Sequence, residues 1–233
     1  MWWRIAIMIA GSCLLWHCTA NVDSNPAPRP ESATAQHVRF PPVQGAKRTL
    51  QVQAMRIPTA DLERYPELAE QHVVMGLTRL LVETLSATGW FDLQEELEQL
   101  VTRLGTLWQR TEDGFAFQDE PRRGEGAPEF LMDVKLFDVV VCASEQKITL
   151  TREQLTCRSS VGIQVRIENT EGQFIPGSTP PLSPQGRYVH SKTMSRFGSA
   201  QTPFAQSAYG TVTAKALRYA VRKAVGRFER QQW

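Results

Sequence analysis

The sequence predicts an α/β (α+β) domain, a mixed sheet with helices packed on it. Three observations predict it. Strand-type alternation opens the ordered part of the chain and dominates again from about residue 129, two leucine stripes of helical spacing lie between, and a long i, i+4 stripe closes the chain. The resulting order is strand, two helices, three strands, helix, which fits two or three layers built around one mixed sheet.

Ordered sequence begins at Thr49, where TLQVQAMRI alternates Leu50, Val52 and Ala54 with polar residues. After Pro58 and Pro66, Leu68, Val74, Leu77, Leu81 and Leu85 trace a helix that stops at Gly89. Leu93, Leu97, Leu100, Leu104 and Leu107 place a second helix after it. Residues 110–128 are polar and turn-rich and read as a mobile loop. Strands follow at Glu129–Cys142, at Ser160–Glu168 with Val161, Ile163, Val165 and Ile167 alternating, and more weakly at Arg187–Arg196. The last helix starts near Pro203, with Phe204, Ala208, Val212, Ala216, Ala220 and Ala224 on one face.

The first residues obey a different rule. A single cation, Arg4, precedes an apolar run of 12 residues from Ile5 to Trp16, and Cys18 follows. A membrane-spanning helix needs ~20 apolar residues and a secretory h-region ~7–15, so residues 1–17 read as a signal peptide. Two cysteines compete for acylation after the cut. Cys13 follows Ala10-Gly11-Ser12, which has the small-residue chemistry of a lipobox, whereas Cys18 keeps the full apolar run and is followed by a spacer. Length favours Cys18, and the lipid (palmitate-type) anchor is assigned there with Cys13 as the alternative. Neither Thr19 nor Leu14 is the Asp associated with inner-membrane retention, which points to the outer membrane from its periplasmic side. Residues 18–48 then form the lipidated N-terminus and a Pro-rich tether, with five prolines in 19–46, and 49–233 form the domain.

Composition removes other classes. Of 233 residues 26 are basic and 24 acidic, a balance that argues against a nucleic-acid binder. Four cysteines in a chain of this length make no disulfide scaffold. No nucleophile elbow, phosphate loop or metal-ligand spacing occurs, and His37, His72 and His190 stand singly, so no catalytic residue, metal or cofactor is assigned and an enzyme is not expected.

Three stretches carry a family resemblance. Val73–Leu100 (VVMGLTRLLVETLSATGWFDLQEELEQL), Ala127–Val139 (APEFLMDVKLFDV) and Ser160–Ile175 (SVGIQVRIENTEGQFI) resemble the long helix with its G-x-Phe strand start, the strand entry and the alternating strand of the curli-assembly (CsgG-type) family of envelope lipoproteins. Glu95 and Glu96 stand where that family usually has an Arg. The resemblance implies a CsgG-like periplasmic domain, envelope protein partners, homo-oligomerisation and a role in assembly or export of the curli type. Pore-forming members insert two hairpins per subunit. Here 143–160 offers 18 residues, of which only Ile148, Leu150 and Leu155 are large and apolar, and 197–203 is too short to cross, so no transmembrane hairpins and no self-made channel are expected. A regulator that reaches through peptidoglycan to activate a cell-wall synthase is the alternative; such an activator would need its tether at full length.

The remaining candidates are local. Cys142 and Cys157 flank a hairpin that a disulfide would close, against the alternative of free thiols. Lys215, Arg218 and Arg222 form a basic stripe on the last helix, continued by Lys223, Arg227 and Arg230. It reads either as a solvated face or as a contact for an acidic partner or an anionic envelope surface. Trp90 and Phe91 read as core, while Phe115 and Phe117, placed in the polar loop, read as an exposed partner contact.

Overall fold

In the computed structural model, strand β1 (Arg48–Pro58) runs into a short helix α1 (Thr59–Arg64) and a 3-10 turn (Pro66–Ala69), followed by α2 (Gln71–Thr88), β2 (Phe91–Asp92) and α3 (Leu97–Thr106). The chain continues through β3 (Gln109–Thr111), β4 (Gly114–Gln118), β5 (Phe130–Thr149), β6 (Arg152–Asn169), β7 (Tyr188–His190), a second 3-10 turn (Phe204–Gln206) and α4 (Ala208–Phe228). The structure describes residues 39–43, 45–149, 152–170, 188–190, 196–199 and 202–228, with the backbone alone for 142–149, 152–158, 188–190 and 227–228. Cys13, Cys18, His37 and the tether before residue 39 lie outside the described residues, as do most of 187–196 and Arg230.

The sheet order is β3-β4-β1-β5-β6-β7, with β2 pairing β1 separately. β1 pairs parallel to β5, as the crossover through α2 and α3 allows, and antiparallel to β4; β5–β6 and β6–β7 are antiparallel. The fold is therefore α/β with a mixed sheet. Its two faces differ sharply. The row Val52, Met132 and Ile167 and the row Met55, Val134 and Val165 are buried in one apolar cluster with Leu77, Leu81 and Leu85 of α2 and Val212, Leu217 and Val221 of α4. The opposite rows carry Arg56, Lys135 and Gln164, and Ala54, Asp133 and Arg166.

The predicted β1 alternation slips once. Register shifts between Val52 and Ala54, so the inward set becomes Leu50, Val52, Met55 and Ile57, and Ala54 pairs across to Asp133 on the polar face. A bulge of this kind inserts one residue and exchanges the faces.

The helices follow their stripes closely. Leu68, Val74, Leu77, Leu81 and Leu85 are all buried, and Gly89 ends α2 in the left-handed region at φ 70°. In α4 every member of the stripe from Ala208 to Ala224 is buried. Ser207 caps that helix: its hydroxyl accepts from the Gly210 N–H at 3.0 Å and donates to the Phe204 carbonyl at 2.6 Å.

The predicted mobile loop at 110–128 is a correction. Glu112-Asp113 form the two-residue turn between β3 and β4, and Gly114, the first residue of β4, adopts φ 142° against the Ile57 carbonyl, where a side chain has no room. Phe115 and Phe117 then pair with Ile57 and Met55 and face the core, Phe117 being fully buried. Trp108 covers both rings, stacked on Phe115 at 5.5 Å and edge-on to Phe117 at 5.3 Å. The expectation of an exposed partner contact at Phe115 and Phe117 fails because strand β4 joins the sheet and turns both rings inward. The following segment is tied down as well. Gln51 donates to Asp119 and to the Glu120 carbonyl, Arg103 pairs with Asp119 at 2.9 Å, and Glu95 receives both Arg103 and Arg122.

Phe204 fills the gap between α2 and α4. Its ring lies against Gly76 of α2 and its carbonyl against Gly210 of α4, so both helices approach through residues without side chains. Gly→Ala inside a helix ordinarily gains about 1 kcal/mol. Gly76→Ala is expected instead to lose about 1–2 kcal/mol, because the overpacking cost of ~1–3 kcal/mol outweighs that gain. Urea unfolding of the variant checks it, and a stabilised Gly76→Ala would contradict this packing.

Candidate functional site

β1 ends at Pro58, but β5 does not end with it. Beyond Lys135, the last β5 residue paired to β1, the strand runs on from Leu136 to Thr149 and pairs with β6 as far as the rung Thr149–Arg152. At ~3.3 Å per residue this arm extends roughly 45 Å. Both predicted strands are thus longer than their apolar parts, because the polar residues between them continue the ladder. The length objection to a spanning hairpin, which counted only 143–160, no longer holds. The compositional one does, since Ile148, Leu150 and Leu155 are the only large apolar residues there.

The arm is clamped where it leaves β1. An Asp61 carboxylate oxygen accepts the Val139 N–H at 3.1 Å, and the Tyr65 hydroxyl accepts the Val141 N–H at 3.1 Å. Asp61 and Tyr65 lie four residues apart at α1 and its C-cap, so one helical turn presents two acceptors to alternate residues of the strand. Between β1 and this clamp Asp138 adopts φ 52°, in a stretch where the β5–β6 register shifts twice. Those irregularities redirect the arm.

An aromatic and cationic layer backs the clamp. The Arg196 guanidinium donates to the Val141 carbonyl at 3.3 Å and lies 5.6 Å over the Tyr65 ring and 5.8 Å over Phe197. Phe197 packs edge-on to Tyr65 and to Tyr209, whose ring also meets Phe204. The arm's root is thereby joined to α1 and α4. Burial pushes the Asp61 carboxyl above the usual carboxylate range and outweighs the Val139 hydrogen bond and the Arg64 charge, with Asp138 adding to the rise. Burial likewise pushes the Tyr209 phenol upward, and the Asp61 charge adds to it. This arrangement suits a fixed lever. It offers a buried acid and one phenol that cap the strand backbone, with the Tyr209 ring packed behind them, and no group of three metal-binding side chains occurs among the described residues.

The residues named from sequence fall elsewhere. Lys215, Arg218 and Arg222 are exposed on α4. His72 sits exposed at the start of α2, 3.3 Å from Glu70, and His190 lies in β7 opposite Cys157. The hairpin register pairs Cys157 with Ser144, so Cys142 stands two residues from being opposite. Sequence reasoning missed Asp61, Tyr65, Arg196 and Tyr209. The i, i+4 spacing of Asp61 and Tyr65 directly after Pro58 was a signal for a shared helix face, but their targets on β5 are 76 and 78 residues away. No helix among the described residues is long and apolar enough to cross a membrane. Compared with known proteins, the sequence matches no family model and no curated protein.

Two outcomes are expected. A carboxyl whose folded pKa is raised binds its proton more tightly in the fold, so ionising it costs stability as pH rises through that pKa, and the cost is absent below about pH 4. Asp61→Asn keeps the acceptor oxygen and removes the charge. It should be more stable than the parent at neutral pH and equal to it near pH 4, by urea midpoints at both; an equal loss at both values would refute the buried-charge account. For the cysteines, diagonal positions on an antiparallel pair lie ~7–8 Å apart, beyond the usual disulfide span. Both thiols should therefore be alkylated without reductant in the denatured, oxidant-free protein. Mass spectrometry showing a Cys142–Cys157 bridge would mean that the arm shifts register.

Proposed function

We propose that the chain is a periplasmic lipoprotein tethered to the outer membrane, and that its domain is a non-enzymatic component of an envelope assembly or export system of the curli-assembly type. One observation carries the reading: the N-terminal order of one cation, 12 apolar residues, Cys18 and a Pro-rich tether, set before a compact unit spanning Gln36–Trp233. Two or three acyl chains at ~0.8 kcal/mol per buried methylene anchor such a protein without a transmembrane helix.

The clamped arm supports a role in partner binding or self-association. A hairpin held at its root by Asp61, Tyr65 and Arg196 presents its far end in a defined direction, which lowers the ordering cost of docking. The reading includes no channel of its own, because the arm's sequence is too polar to face lipid. The tether favours a second reading, activation of a cell-wall synthase through peptidoglycan. Some 28 residues of flexible chain span roughly 30 Å on average.

Metabolic labelling with a fatty acid should mark the protein, persist in Cys13→Ala and vanish in Cys18→Ala. Affinity capture from membranes should return envelope assembly or export proteins, with the purified protein larger than a monomer. An unlabelled chain would end the lipoprotein reading, and a monomer capturing only cell-wall synthases would replace the first role with the second.

A further inference from the structure

α4 contains five basic residues and no acidic one in 21 positions. Its apolar stripe is buried against the sheet and α2, so its cations collect on the remaining face. Lys215, Arg218 and Arg222 are exposed there, and Lys223 is half-buried beside them. Neither Arg218 nor Arg222 has an ion-pair partner among the described residues, whereas Arg48, Arg79, Arg103 and Arg122 elsewhere are all paired to carboxylates. A second observation falls on the same patch. Tyr219 is 39% exposed and, with Val43, is one of two exposed large apolar side chains among the described residues. The Lys223 ammonium lies 4.9 Å over its ring.

An acidic protein segment would be met by cations alone. An exposed tyrosine ringed by cations has the composition of a bilayer interface contact, where the ring sits at headgroup depth and the cations meet phosphates. We propose that the exposed face of α4, centred on Arg218, Tyr219 and Arg222, docks on an anionic phospholipid surface. The inference deepens the lipoprotein reading and rests on it for the source of the bilayer: an anchored N-terminus keeps the membrane within the tether's reach. Docking would lay the domain against the membrane with α4 inward and leave the polar sheet face, with Arg56 and Lys135, on the other side of the molecule.

The test uses the full-length product, as purified from membranes, reconstituted into vesicles. Lys223 acetylation and Tyr219 nitration are compared on vesicles with 30% phosphatidylglycerol and on vesicles of phosphatidylcholine alone. Modification should be several-fold slower on the anionic vesicles, and the protection should disappear at high salt and in the double variant Arg218→Glu, Arg222→Glu. One cation near an anionic surface is worth about fivefold in binding, so the two reversals together should remove the effect. Equal modification on both vesicle types overturns the proposal. So does protection by an acidic polypeptide in place of lipid, which would make the face a protein site. Wild-type circular dichroism in the double variant separates lost docking from lost folding. Fatty-acid labelling separates the two readings: an unlabelled chain that keeps lipid-dependent protection loses the anchor and keeps this face.

Discussion

Once β1 stops at Pro58, the edge of β5 that faced it carries backbone N–H groups that must find acceptors inside the protein. An unpaired buried N–H costs about 1–3 kcal/mol, so two of them would be enough to fray the arm at its root. Asp61 and Tyr65 supply the acceptors, and most other features of this end of the molecule serve those two side chains. α1 exists to set their spacing, Arg196 and Phe197 pack on Tyr65, and Tyr209 of α4 closes the layer beneath. Keeping Asp61 dry is the cost: burial pushes its carboxyl toward the protonated form, and one backbone hydrogen bond only partly offsets this.

The charge distribution follows the same division between structural and available groups. Around α3 the ions are absorbed in a network, with Glu95, Arg103, Asp119 and Arg122 holding the segment after β4 to β1 through Gln51. On α4 they are not. A near-neutral total therefore conceals a last helix that carries cations only.

Much of the fold was legible. Leu77, Leu81 and Leu85, the Val161–Ile167 alternation and the Ala208–Ala224 stripe each report a local period that burial fixes directly. The failures have a common cause. Phe115 and Phe117 looked exposed because the residues around them are polar, yet their spacing of two directly after a turn-rich stretch was a strand signal. Ala54 looked inward because alternation cannot announce a bulge, which depends on the register of β5.

The sequence by itself determined the mixed α/β class, the buried stripes of the long helices and the basic content of the last helix, since each is written in short-range composition and period. The tertiary structure alone decided what those parts face. The pairing of Asp61 and Tyr65 with Val139 and Val141, the inward turn of Phe115 and Phe117, and the isolation of Arg218 and Arg222 around Tyr219 all depend on contacts between residues far apart in the chain. Such contacts are set by sheet register and helix packing, and no local period encodes either.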